Sequence, residues 1–260
     1  MGRLNTDVTL HQELDFNIVA SGESDNGISF GASMDIDTDN GASSTSDGEM
    51  FISGAFGKLS FGNVDSALDN IGLADVGFDG LDVDNGLEAL RGSAMGADVV
   101  YSYSIEGLTL TLSTVVGSSS VKNAAGEGDF GMHVAYKAGD LGIEVGYADD
   151  DSTGDTSTGL ELSYKMGAVS LGATFIQQDF KAAATRDLSG YGISVGYAVN
   201  DALSLTAVMA SSERGAAGTA DLDASGIGFS YSMGGGLSVQ GGVSEVDNVD
   251  KWDLGLAMSF

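Results

Sequence analysis

The chain has 260 residues, with 38 Asp and Glu against 10 Lys and Arg, for a formal net charge of −28. That balance excludes nucleic acid and anionic lipid surfaces as electrostatic partners. Cysteine and proline are both absent, which excludes disulfides, thiol catalysis and thiolate metal sites and leaves strand ladders free of an interrupting residue.

In chain order, apolar residues recur at every second position, the period of a strand with two different faces. The first run is Val8, Leu10, Leu14, Phe16, Ile18 and Ala20, closed by a turn at 23–27, and the return run is Ile28, Phe30, Ala32, Met34 and Ile36. After a polar loop come Met50, Ile52, Gly54 and Phe56, a tight turn at Gly57-Lys58, then Leu59 and Phe61. A long segment, 65–97, precedes the strand that reaches Tyr103. From there the pattern is regular. Glu106-Gly107 turns into Leu108, Leu110 and Leu112, and four more pairs follow, their first strands ending at Tyr136, Tyr164, Tyr197 and Tyr231. The final run is Trp252, Leu254, Leu256, Met258 and Phe260.

No window approaches the run of roughly 18–20 apolar residues that a membrane helix needs. A transmembrane β-barrel hides its apolar band in alternate positions, and aromatic girdles mark its two interfaces. Tyr103, Tyr136, Tyr164, Tyr197, Tyr231 and Phe260 fit one girdle, Tyr147, Phe175, Tyr191 and Trp252 the other. Turns after the tyrosines are short, and the connections at the opposite end are longer, acidic and polar, the asymmetry of outer-membrane barrels. The competing reading, a soluble glycine-rich solenoid, lacks its nonapeptide repeat. Fifteen strands are legible, whereas single-chain bacterial barrels have an even number. A first, upward strand is therefore expected to be missing or reduced to residues 1–7. That stretch has no apolar signal-peptide core, so the numbering is expected to start at a mature or engineered terminus, or the N-terminus is absent.

Gly54-Ala55-Phe56-Gly57-Lys58-Leu59-Ser60-Phe61-Gly62-Asn63 resembles the G-x-F-G-x-L-x-x-G hairpin of general bacterial porins. Residues 14–32 resemble that family's second strand, first turn and third strand, and Phe260 resembles its assembly signal. Together these are similar to porins of the alphaproteobacterial type. The resemblance implies an all-β, antiparallel transmembrane barrel of about 16 strands, one domain over 1–260. Segment 65–97 would be its inward-folded constriction loop. It further implies a homotrimer in the lipid of the bacterial outer membrane, passing small hydrophilic solutes and ions by passive diffusion. A structural or adhesive barrel, or a substrate-specific channel, is the alternative. Inward positions such as Thr109, Thr111, Gly192, Ser194, Ser204 and Thr206 are small and neutral, which favours an open lumen.

The loop carries Asp69, Asp75, Asp79, Asp82, Asp84 and Glu88 against one base, Arg91. One reading is a negative constriction that concentrates cations. Another is a structural calcium site at Asp79, Asp82 and Asp84, since calcium takes several carboxylate and carbonyl oxygens. A third is a merely solvated acidic loop. Glu13 and Asp15 stand where the resemblance leads one to expect basic residues, and Asp35 and Asp37 share their face. His133, Glu144, Glu161 and Lys165 complete the expected pore wall, with His133 read as solvated lining and Lys165 as a salt-bridge or ion-selecting residue. His133 has no triad partners in a recognisable order, and nothing in the chain reads as an enzyme.

Overall fold

The alternating runs form a single antiparallel sheet. A computed structural model describes residues 8–39, 42–45, 48–78, 80–92, 96–116, 128–182, 186–215 and 221–260. The strands of the first half are β1 Glu13–Glu23, β2 Ser29–Asp39, β3 Ala42–Thr45, β4 Glu49–Gly54, β5 Gly57–Asp65, β6 Gly96–Ile105, β7 Leu108–Thr114 and β8 Phe130–Ala138. Those of the second half are β9 Leu141–Asp149, β10 Thr156–Met166, β11 Val169–Asp179, β12 Leu188–Ala198, β13 Leu203–Ser212, β14 Leu222–Gly234, β15 Leu237–Val246 and β16 Val249–Met258.

Strand order follows chain order, with β3 the one strand off the path. Ile36–Asp39 of β2 pairs with β3, and Ser29–Ser33 pairs with β4. β3 and β4 are therefore successive pieces of one crossing, and fifteen crossings result, as the alternation indicates. Residues 1–7, the stump to which a first strand was expected to be reduced if not missing, lie outside the described residues. Hairpin turns have the chemistry their twist demands. Glu106 and Gly107 both have positive φ, 47° and 84°, the pair of left-handed conformations in a type I′ turn. A side chain on Gly107 would also meet the Lys137 carbonyl oxygen at 2.7 Å.

The two faces of the sheet differ sharply. On the outer face Phe16, Ile18, Ile193, Leu254 and Leu256 are each at least half exposed. Large apolar surface on this scale needs a nonpolar surrounding rather than water. Tyr103, Tyr136, Tyr164, Tyr197 and Tyr231 are all partly exposed on this face, within a few residues of the short turns. The inner face carries the small and polar set. The buried core lies there too, between the wall and the segment joining β5 to β6. Among the described residues no helix is long and apolar enough to cross a membrane.

Ile193 sits at the middle of β12 on the outer face and Ser194 follows it on the inner face. Ile193→Arg is expected to cost roughly 2–4 kcal/mol, the penalty of a charge at the bilayer midplane, while Ser194→Arg leaves stability nearly unchanged. Urea unfolding in lipid vesicles, followed by the gel shift between folded and unfolded barrel, measures both.

Candidate pore constriction

The segment leaving β5 turns at once onto the inner face. Ser66 starts a 3-10 turn, Ala67–Asn70, with a reciprocal cap: its hydroxyl accepts from the Leu68 N–H, and Asp69 Oδ2 accepts from the Ser66 N–H at 3.0 Å. Such a box satisfies donors that a helical start leaves open. The Ala67 N–H donates to Ser113 Oγ of β7 at 2.8 Å. Further on, the Gly72 peptide is held from both sides: its N–H donates to Glu161 Oε2 of β10 at 3.2 Å, and its carbonyl accepts from Thr174 Oγ1 of β11 at 2.5 Å. Glu161 and Thr174 are register partners, so one rung of the ladder grips one peptide of the segment.

Apolar packing continues the attachment. Leu68, Ile71, Leu87 and Leu90 bury against Ala148, Ile176, Leu188 and Ala210 of the wall. Val76, Leu81 and Val83 form a second cluster with Val208 and Ala224. Each fully buried aliphatic side chain contributes roughly 1.5–3 kcal/mol. A short helix, α1 Asn85–Glu88, runs into the 3-10 turn Ala89–Arg91 and carries the chain back. The far end is fixed to the last two strands, β15 and β16. The Phe78 N–H donates to Asp253 Oδ2 at 2.7 Å, Ser244 Oγ donates to the Leu81 carbonyl at 3.0 Å, and Lys251 of β16 pairs with Asp82. The segment thus extends along the inner wall from β7 to β16.

Charges sort into bound and open groups. Arg91 is a clamp: Nη2 meets Glu88 Oε2 at 2.7 Å, Nη1 donates to the Ile71 carbonyl at 2.9 Å, and Nε lies 3.9 Å from Asp69 Oδ1. Burial raises the Asp69 carboxyl above its ordinary value despite that guanidinium. Asp84, only 8 % exposed, is pushed up to about 6, first by burial and then by the negative charges of Glu88 and Asp75. Asp69, Asp75 and Asp82 are exposed on the segment. On β1 and β2, the register sets Glu13 against Asp39, Asp15 against Asp37 and Asn17 against Asp35.

A family model described as Gram-negative porin matches residues 2–251. The chain belongs to that family. It is 30% identical over 206 residues to a porin of Rhodobacter capsulatus, covering 67% of this chain and 68% of the relative. Two engineered variants of the Rh. blastica porin share its fold. One gives a TM-score of 0.77 at 21% identity, the other 0.78 at 22%, each covering 96% of this chain and 91% of the variant. The sheet is accordingly a porin barrel in the bacterial outer membrane, its outer face toward lipid and its inner face toward the lumen. The protein is a passive channel and not an enzyme.

Several expected pore residues have other surroundings than their strand phase alone indicates. His133 does face inward, yet it is 3 % exposed, because the 3-10 turn Ala67–Asn70 packs over its neighbours Gly131 and Gly146. Its Nε2 meets Glu144 Oε2 at 2.8 Å, and Glu144 lies opposite Glu161 in the register. It is a buried wall residue and not solvated lining. Gly192 likewise lies under Leu73 and Leu87. Asp84 is buried beneath the loop surface. Asp79 lies outside the described residues, and Asp82 is engaged by Lys251 and Asn85. Among the described residues no group of three His, Asp or Glu side chains is placed to hold a metal ion. Lys165 is exposed at the short-turn end of β10, four positions from Glu161.

Sequence reasoning did not single out Lys251, Asp253 or the Glu49–Lys58 pair. Lys58 Nζ lies 3.1 Å from Glu49 Oε1 and 4.9 Å from the Phe51 ring centroid. All four charged residues alternate in phase with outward apolar neighbours, a signal that marks them as inward but not what they touch.

The Asp84 carboxyl binds its proton more tightly in the folded loop than in an unfolded chain, where the value is near 3.9. Loop stability is therefore expected to rise as pH falls from about 7 through 6 toward 4, and to be lost again as pH rises, on the order of 1–2 kcal/mol. Asp84→Asn should stabilise the loop at neutral pH and flatten this dependence. Hydrogen exchange of the Leu87 and Glu88 amides across that pH range reads it directly.

Proposed function

We propose that this porin is a cation-preferring diffusion channel for small hydrophilic solutes, with segment 65–97 as its constriction. The observation that carries the reading is that exposed carboxylates stand on the loop and on β1 while the nearby bases are paired. Asp69, Asp75 and Asp82 lie on the loop and Glu13 and Asp15 on β1, with the half-buried Asp35 beside them on β2. Arg91 is paired with Glu88, Lys58 with Glu49 and Lys251 with Asp82. Between residues 4 and 90 Lys58 is the only lysine or arginine. A passage lined by one sign of charge beside low-dielectric walls concentrates the opposite ion and speeds its entry.

Asp15→Asn combined with Asp75→Asn is expected to lower the cation-to-anion permeability ratio severalfold. The measurement is the reversal potential across a salt gradient in planar bilayers. The native preference should fade as salt rises, since screening acts over about 10 Å at 0.1 M. Anion selectivity in the native channel, or an unchanged ratio in the double variant, would remove these carboxylates from the ion path.

The homotrimer belongs to the same proposal. Ala20, Phe30, Ala32, Met50, Ile52 and Phe61 line an apolar groove at β1, β2, β4 and β5. Small residues there let a neighbouring wall approach closely. Replacing Ala20 and Ala32 by Trp is expected to shift the mass in mild detergent from three copies to one, read by light scattering.

A further inference from the structure

At several of the points where the loop touches its wall, the wall carries no side chain. Beneath the loop the inner face presents glycine on strand after strand. A β-carbon at Gly159 of β10 would stand 2.8 Å from Ile71 Cγ2, and one at Gly192 of β12 would stand 2.5 Å from Leu73 Cδ2 and 3.1 Å from Leu87 Cδ2. At Gly226 of β14 the obstacle is Val76 Cγ2, at 2.8 Å. At Gly255 of β16 it is the Phe78 ring, with carbons at 2.5–2.7 Å. The tightest approach is backbone on backbone. Gly77 of the loop lies against Gly228 of β14, and a β-carbon at Gly242 of β15 would be 3.0 Å from Gly77 Cα. No rotamer change relieves that contact.

Inward glycines away from the loop are different. At Gly172 the nearest atom is the Ser194 hydroxyl, and at Gly196 the Ser170 hydroxyl. These are the ends of small side chains that can turn away. The close contacts beneath the loop are with packed aliphatic groups, an aromatic ring and main chain.

We propose that Gly159, Gly192, Gly226, Gly228, Gly242 and Gly255 are positioning residues that set the size limit of the pore. Their missing side chains let the loop lie on the wall instead of standing off into the lumen. This rests on the reading of segment 65–97 as the constriction. It goes beyond that reading by assigning the width of the passage to wall residues that solutes do not touch. A side chain added under the loop lifts it by the thickness of that side chain, and the lumen narrows by as much.

The test uses the full-length channel with Gly192→Leu and, separately, Gly228→Val. Gly192→Ala is the milder form, for use if either fails to fold, and Gly172→Ala is the control. Two readouts are taken: hydrogen exchange of the loop amides, above all Gly72 and Phe78, and single-channel conductance with sugar uptake into liposomes. The expected result is faster exchange in the loop, at least a twofold fall in conductance per channel and a smaller largest sugar admitted, with the control unchanged. Leu73→Ala added to Gly192→Leu is expected to restore conductance, because it makes room for the new side chain. Unchanged exchange in the folded variants overturns the seat, whatever the conductance. Faster exchange at unchanged conductance leaves the seat intact but shows that the loop is not the narrowest point, which overturns both the constriction reading and the size-limit role. A reduced conductance that Leu73→Ala does not restore also overturns that role.

Discussion

A strand in this barrel must present hydrocarbon on one side and accept water or a folded loop on the other. Everything else follows from that division. The outer set is free to be large, since lipid fills whatever shape it leaves. The inner set meets two unlike neighbours, open lumen and the loop, and its composition changes between them. Where the loop lies, glycine, alanine and a few aliphatics of the wall receive it between polar anchors such as Ser113, Glu161, Thr174 and Asp253. Away from it serine, threonine and charge stand beside the remaining glycines. A period-2 code thus carries a second pattern along the strands that the alternation itself does not show.

The electrostatics of the loop depend on the same packing. A chain of net charge −28 cannot neutralise its carboxylates from within. The structure spends its bases at points of attachment: Arg91 ties two turns of the loop, and Lys251 ties its far end to β16. Burial within the loop makes Asp69 and Asp84 hold their protons more strongly. Asp75 remains exposed away from these points. Charge that holds the loop is therefore partly distinct from charge that faces the passage, although Asp69 and Asp82 contribute to both.

The strands, their number and the inward or outward phase of nearly every residue were legible in the sequence, because a strand's period is local and the chain has no proline to disturb it. The acidic character of the loop was legible too. Which carboxylates stay in water was not. Burial of Asp84 and His133 is produced by contacts between the loop and the wall, and the pattern on β8 around His133 does not encode what lies above it. The attachment of Phe78 to Asp253 spans 175 residues, a contact that local reading has no means to find. The glycines were visible, but as neutral lining. Their spacing acquires a meaning only once the path of the loop across ten strands is known.

Two kinds of force then govern two properties of one channel. The proposed size limit rests on packing between the loop and glycines, which salt scarcely affects, reinforced by hydrogen bonds that the wall shields. The proposed ion preference rests on exposed carboxylates, whose reach contracts with the Debye length. A pore held open by ion pairs alone would change its bore with ionic strength. Among the described residues Lys251 with Asp82 is the one ion pair at the far end of the loop, and there the Phe78 N–H bond to Asp253, the Ser244 bond to Leu81 and the contact of Gly77 with Gly228 stand beside it. Loss of the ion pair leaves three short-range attachments in place. In this arrangement the bore stays fixed while the selectivity is free to follow the medium.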